Sequence, residues 1–178
     1  IEDIVNEGII SNEDDIAVQI TLDRLPLSEK IKRKIRVEFV EVLRLLHFEA
    51  KGHDVFRRWY VDGRIFFHKI IDIKNPKQGI IELRYIDPTK IKKVRNVKKK
   101  KDQKSSVDMI QKTEEYFLYN EKGINSAGMG GSNSGIKIAA DAIAYCPSGL
   151  IDGNSGRVLS YLHKAIKPVN QLRMIEDA

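Results

Sequence analysis

Two runs of β-branched and aromatic residues, Ile65 to Ile71 and Ile80 to Ile86, flank the segment Asn75-Pro76-Lys77-Gln78-Gly79. Such side chains suit a pleated, half-buried surface, and a connection bearing Pro and Gly turns the chain back on itself. The pair therefore predicts a hairpin, which commits the middle of the chain to β structure. Asp87-Pro88 ends the second run, and Lys90 to Val97 reads as another extended segment. Glu114 to Tyr119 supplies a further strand, with short ones at Ile136 to Ile138 and Ala142 to Tyr145. Near the start, Ile16, Val18, Ile20 and Leu22 alternate with Ala17, Gln19 and Thr21, the period-2 pattern of a strand.

Helical periodicity brackets these strands. Ser28 offers an N-cap with Glu29 favourably placed on the dipole, and Ile31, Ile35, Phe39, Val42, Leu43 and Leu46 follow at three- and four-residue steps. A shorter helical segment, Asp54 to Val61, stops at Gly63, which takes a left-handed conformation without a Cβ penalty. Towards the end, Ser155 is placed to cap a helix whose Val158, Leu159, Leu162, Ile166, Val169, Leu172 and Ile175 form one stripe. Pro168 inside it predicts a kink, or two consecutive helices with Pro168 in the first turn of the second. Antiparallel strands and hairpins packed by helices at both ends make an α+β domain. Two loops separate the strands, a charged one at 98–112 and a Gly/Ser/Asn-rich one at 120–135.

Ile, Val, Leu and Phe account for 54 of 178 residues, enough for one domain with a real core. The single Cys146 excludes an intramolecular disulfide framework and a thiolate zinc site of its own. No apolar run approaches the ~18–20 residues of a membrane span. Glu2, Asp3 and Glu7 leave no basic leader region, so an intracellular or virion setting is expected. The chain starts at Ile1 within a helical pattern and ends with the periodicity of the last helix still running, so it reads as a fragment.

The net charge of +6 is blocked rather than mixed. Residues 1–27 carry seven acidic side chains and one basic, whereas 51–101 carry sixteen Lys/Arg against five Asp/Glu, a net of +11. The densest stretch comprises Lys90, Lys92, Lys93, Arg95, Lys98, Lys99, Lys100 and Lys101. Blocked charge points to an electrostatic partner: polyphosphate, or an acidic surface on another copy of the chain. A solvated lysine-rich loop is the plainer reading of the tetralysine run. Without interleaved aromatics the stretch lacks the stacking platform of a single-strand binder.

Chemistry is harder to find. Gly130 and Gly135 have the separation of a phosphate-binding loop, but Ile136 stands where its lysine belongs, and no Ser/Thr follows to hold magnesium. A hairpin loop fits better. His47, His53, His68 and His163 form no zinc motif and read as ordinary surface or boundary residues. Asp152-Gly153-Asn154 reads as a turn, Ser148 lacks a nucleophile frame, and Asp62-Gly63 reads as a helix stop. Phe56, Trp59 and Tyr60 at helical spacing, with Phe66, read as core anchors, although Arg57-Arg58-Trp59-Tyr60 also has the composition of a base-stacking patch. No catalytic set, metal site or cofactor is expected.

Several stretches together resemble the portal protein of T4-type tailed bacteriophages. They are Arg57 to Ile71, Leu83 to Val94, Asp141-Ala142-Ile143-Ala144-Tyr145, Ser148-Gly149-Leu150, and Val158 to Ala178. Their order and spacing cover nearly all of the chain, with departures at 98–112 and 120–135. The resemblance implies a non-enzymatic subunit of a dodecameric ring at one capsid vertex, a homo-oligomer of the virion assembled in the host cytoplasm. Such a ring nucleates prohead assembly, passes double-stranded DNA non-specifically, and meets the major capsid protein, the terminase packaging motor and neck proteins. Residues 1–156 would then be the peripheral wing domain and 157–178 a helical segment leading toward the stem. A free-standing nucleic-acid-binding module using the basic 84–104 region is the alternative, and a phosphotransfer enzyme built on the Gly-rich loop a third.

Overall fold

A computed structural model describes residues 1–9, 18–101, 108–124 and 135–177. The chain divides into two compact units, residues 1–64 with 147–178, and residues 65–146. Helices make up the first and two small antiparallel sheets the second, so the α+β expectation holds.

In the helical unit, α1 spans Glu2–Gly8, α2 Glu29–Leu45, α3 Phe48–Asp62 and α4 Ile166–Glu176. Ser28 takes the extended N-cap position of α2, and its carbonyl accepts from the amides of Ile31 and Lys32 at 3.0 Å each. Its hydroxyl makes no cap bond, so the helix start rests on the backbone and on Glu29. α3 begins six residues earlier than the Asp54 of the sequence expectation. Gly52 hides that extension from sequence reading, because glycine is a poor helix former. Here it is buried, and a Cβ on it would stand 3.0 Å from the Phe48 ring.

Gly63 closes α3 with φ 69°, as its position predicts, and its amide donates to the Trp59 carbonyl at 2.9 Å. A Cβ there would lie 2.5 Å from the Leu159 carbonyl oxygen, so close backbone approach and handedness both require glycine.

Two expectations in this unit are corrected. Residues 18–22 form a bend and irregular chain, not a strand, while Ile16 and Ala17 lie outside the described residues. Leu22 is nonetheless buried. Alternation records burial on one side of an extended segment, but a strand also needs a hydrogen-bonding neighbour, and none pairs with 18–22 among the described residues. Ser155 caps no helix. Its amide and hydroxyl both donate to the Asp152 carboxylate, closing a turn. The cap is Ser160, whose Oγ accepts from the Leu162 amide at 3.1 Å and opens a 3₁₀ turn over Tyr161–Ala165. α4 follows directly with Pro168 in its first turn, where the missing N–H costs nothing.

In the second unit, β1 (Arg64–Ile71) lies between β2 (Ile80–Ile86) and β6 (Ile143–Pro147). The β1–β2 pair is the expected hairpin, with Phe66 opposite Ile86 and His68 opposite Arg84. The other sheet places β4 (Asp108–Tyr119) between β3 (Ile91–Lys101) and β5 (Ile136–Ala139). Phe66, Ile143, Ile91 and Phe117 are buried in one cluster drawn from both sheets, with Ile86, Tyr119, Ile138 and Tyr145 packed around it.

The charged loop expected at 98–112 is also corrected. β3 runs on through Lys101 and β4 begins at Asp108, so the tetralysine run is strand, with Lys98 opposite Lys112. Residues 102–107 lie outside the described residues, as do 125–134 of the second expected loop, including Gly130.

Candidate functional site

The basic stretch is one strand of a long ribbon. β3 carries seven Lys/Arg and no acid, while β4 carries Asp108, Glu114 and Glu115 with Lys112. β5 pairs only with Tyr116 to Tyr119, and the buried members of the core lie no further out than Phe117. From Arg95 outward the pair is a two-stranded ribbon, with no third strand among the described residues. Its register shifts between Lys98 and Lys99, a bulge that sharpens the local twist.

Because directly opposed residues share a face, the charges sort onto two sides. One side continues the core face. Beyond Ile91 and Phe117 it carries Lys93, whose ammonium lies 2.8 Å from Glu115, and Arg95, 3.6 Å from the same carboxylate. A hydrogen bond from Lys93, with its attraction and that of Arg95, holds the Glu115 carboxyl below the usual glutamate range. The opposite side carries Lys92, Lys98, Lys112 and Glu114. Lys112 reaches Glu114 at 2.8 Å, and that bond, with further attraction from Lys98 and Lys137, lowers the Glu114 pKa. The Lys137 ammonium sits 4.3 Å from the centre of the Tyr116 ring.

The predicted cluster is thus divided. Lys93 and Arg95 converge on one carboxylate, Lys92 and Lys98 point to the other side, and Lys90 sits in the turn before β3. The side chains of Lys99, Lys100 and Lys101 lie outside the described residues. Sequence reading treated Lys90 to Lys101 as one patch and missed Glu114 and Glu115 as counter-charges. Their position opposite Asn96 and Arg95 becomes visible only once the strand register is known.

The aromatic residues behave differently. Phe66 is almost wholly buried, 4.9 Å from the Tyr145 ring and 6.0 Å from the Phe117 ring. Phe56, Trp59 and Tyr60 are partly buried in the helical unit. Trp59 lies 5.2 Å from Tyr161, and Tyr60 stacks on Tyr161 at 5.1 Å with the rings 8° from parallel. Arg57 is engaged by Glu2 and Arg58 by Asp54.

Ser148 has a structural part. Its hydroxyl donates to the Leu159 carbonyl at 2.6 Å and accepts from the Leu150 amide at 3.2 Å, while its carbonyl accepts from Tyr161 Oη at 3.0 Å. Among the described residues no group of three or more His, Cys, Asp or Glu is placed to hold a metal ion. No described helix is long and apolar enough to cross a membrane.

A two-sheet core, a helical unit and a charged ribbon of this kind are parts of an α+β protein whose most distinctive described surface is electrostatic. The whole chain, residues 1–178, matches the family described as Bacteriophage T4-like portal protein (Gp20), and it belongs to that family. It is 40% identical over 184 residues to the portal protein of Vibrio phage KVP40 (isolate Vibrio parahaemolyticus/Japan/Matsuzaki/1991), covering 100% of this chain and 35% of the relative. It is 30% identical over 185 residues to the portal protein of Salmonella phage ViI, covering 98% of this chain and 33% of the relative. The chain spans about a third of the length of these curated relatives.

Proposed function

We propose that this chain serves as part of a structural subunit of a phage portal ring at the unique capsid vertex. The whole-chain match, with 40% identity to a portal protein, is the observation that carries this reading. In it the ring is the conduit for packaging and ejecting double-stranded DNA. It nucleates the prohead and connects the head to neck and tail. The ring is a dodecamer of the virion assembled in the host cytoplasm, with the major capsid protein, the terminase motor and neck proteins as partners. Residues 1–156 form the wing and 157–178 lead toward the stem. The subunit makes and breaks no covalent bonds. Electron microscopy of a full-length portal protein containing this sequence tests the reading, with twelvefold rings as the expected result. A protein that stays monomeric under all assembly conditions would refute it.

The ribbon contributes to a contact between subunits or with the capsid. A closed ring joins two different faces of each copy, and the acidic 1–27 and basic 51–101 segments suit such faces. Reversing Lys92, Lys93 and Arg95 to Glu is expected to impair ring assembly. Because Lys93 and Arg95 also satisfy Glu115 within the same sheet, Lys92→Glu with Lys98→Glu separates the intermolecular role from local damage. Rings unchanged by both sets would remove the contact. Duplex DNA is the competing partner for the same lysines. It predicts binding by residues 1–178 that falls steeply with salt, whereas weak binding near physiological salt favours the subunit reading.

A further inference from the structure

The two sheets of residues 65–146 leave an open cleft of about 400 Å³ at one end of their shared core. Its lining includes the core-flanking Ile86 and Ile138 together with Tyr119. Next to these apolar groups stand His68, Arg84 and Lys90. His68 and Arg84 face each other across β1 and β2, two residues along from the Phe66–Ile86 pair and therefore on the same inner face. Where the strand pattern would continue the core, the sequence supplies an imidazole and a guanidinium.

Arg84 has a partner on its own face of β2. Glu82 accepts from Arg84 Nε at 3.0 Å and Nη2 at 3.1 Å, a fork that engages two of the five guanidinium N–H donors. Asp87 also lines the cleft. Its Oδ1 accepts from the Thr89 amide at 2.8 Å and the Thr89 hydroxyl at 2.6 Å, so it is bound into the turn that delivers Lys90. That turn is pinned further by the Lys90 amide on the Asp87 carbonyl at 2.9 Å and the Asn120 amide on the Lys90 carbonyl at 2.8 Å. An open cleft with an apolar floor and a few polar groups on paired strands offers adjacent contacts to a carboxylate and an apolar side chain.

We propose that this cleft receives an acidic, isoleucine-flanked peptide segment from a second copy of the chain. A free phosphate ion would leave the apolar floor unused. A carboxylate on an apolar-flanked peptide uses both halves of the site. Residues 65–146 carry sixteen Lys/Arg against nine Asp/Glu, a net of +7 that steers an acidic segment toward the unit. The sequence contains such a segment, Ile9-Ile10-Ser11-Asn12-Glu13-Asp14-Asp15-Ile16-Ala17, of which residues 10–17 lie outside the described residues. Its supply by a neighbouring copy rests on the portal-ring reading, whereas its binding to a single copy does not.

The test is titration of a labelled synthetic peptide of residues 9–17 into the 178-residue chain carrying Glu13→Gln, Asp14→Asn and Asp15→Asn, so that its own segment does not compete. Saturable binding that weakens with salt is expected. Arg84→Glu with Lys90→Glu should weaken it at least tenfold, at an unchanged melting temperature. The charge-matched pair Lys74→Glu and Lys77→Glu, in the β1–β2 connection, should leave it unchanged. The proposal is overturned if the peptide does not bind, if its Gln/Asn counterpart binds equally well, if the control pair weakens binding as much, or if duplex DNA displaces the peptide at equimolar concentration. Peptide binding by a protein that forms no rings would sink the ring reading while leaving the ligand of the cleft in place.

Discussion

Phe66 of β1 and Phe117 of β4 meet edge to face, with ring centres 6.0 Å apart and planes at 81°. One ring belongs to each sheet, so this contact helps make two three-stranded sheets a single folding unit.

Truncating either ring leaves a cavity that strands cannot close by sliding. Phe66→Ala or Phe117→Ala is expected to cost about 3–5 kcal/mol, and Phe66→Leu distinctly less. Urea unfolding of the two variants, with the β-sheet circular dichroism signal as readout, checks this.

At Gly63 the backbone is left-handed and an added Cβ would overlap the Leu159 carbonyl oxygen. Gly63→Ala is expected to destabilise the helical unit by about 2 kcal/mol or more, through the handedness penalty together with the clash. Gly79 meets nothing within 4 Å but lies at φ 85° and ψ −150°, a region open essentially to glycine alone, so Gly79→Ala should destabilise through backbone strain without a clash. Melting temperatures of the two variants check both expectations.

Ser148 is buried and its hydroxyl is both donor and acceptor. Ser148→Ala leaves the Leu159 carbonyl and the Leu150 amide without that partner, at an expected cost of about 1–3 kcal/mol. Tyr161→Phe removes only the bond to the Ser148 carbonyl and should cost about 0.5–1.5 kcal/mol. Denaturant midpoints of the two variants give the comparison.

The Glu114 and Glu115 carboxyls are held below their ordinary range by Lys112 and Lys93 respectively. A depressed folded-state pKa contributes stability above the unfolded pKa, and that contribution disappears as pH falls through the folded value. The ribbon pairing should therefore be insensitive to pH near neutrality and weaken in acid, below the usual glutamate range. Carbon-detected NMR titration should show Glu115 returning toward the ordinary value in Lys93→Ala, with Glu114 little changed.

The readable parts of the fold were those where burial and period coincide. The β1–β2 hairpin announces itself because Phe66 and Ile86 are core while the Pro76–Gly79 connection cannot be strand interior. α2 is legible from its stripe and Ser28, although no α2 residue is fully buried. The outer ribbon was not legible. Among its described residues none is buried, so Lys98 and Lys112 need not alternate with apolar residues, and a strand without alternation resembles a charged loop. Residues 18–22 failed in the opposite direction, with alternation present and no pairing strand. His68 was set aside for want of a motif. The available signal was its two-residue offset from Phe66, matched by Arg84 beside Ile86, which puts polar groups where the inner face should continue.

Beyond Tyr116, β4 has backbone donors and acceptors that β5 does not reach, and β3 is an edge strand along its whole length. Bare edges are where polypeptides zip into fibrils. The described cations of β3, Lys92 and Lys98 on one face and Lys93 and Arg95 on the other, then act as insulation. Two such edges approaching each other repel before their amides can meet, so crowding alone does not fuse them, and acetylation of Lys92 and Lys98 would strip part of that protection from an otherwise intact fold.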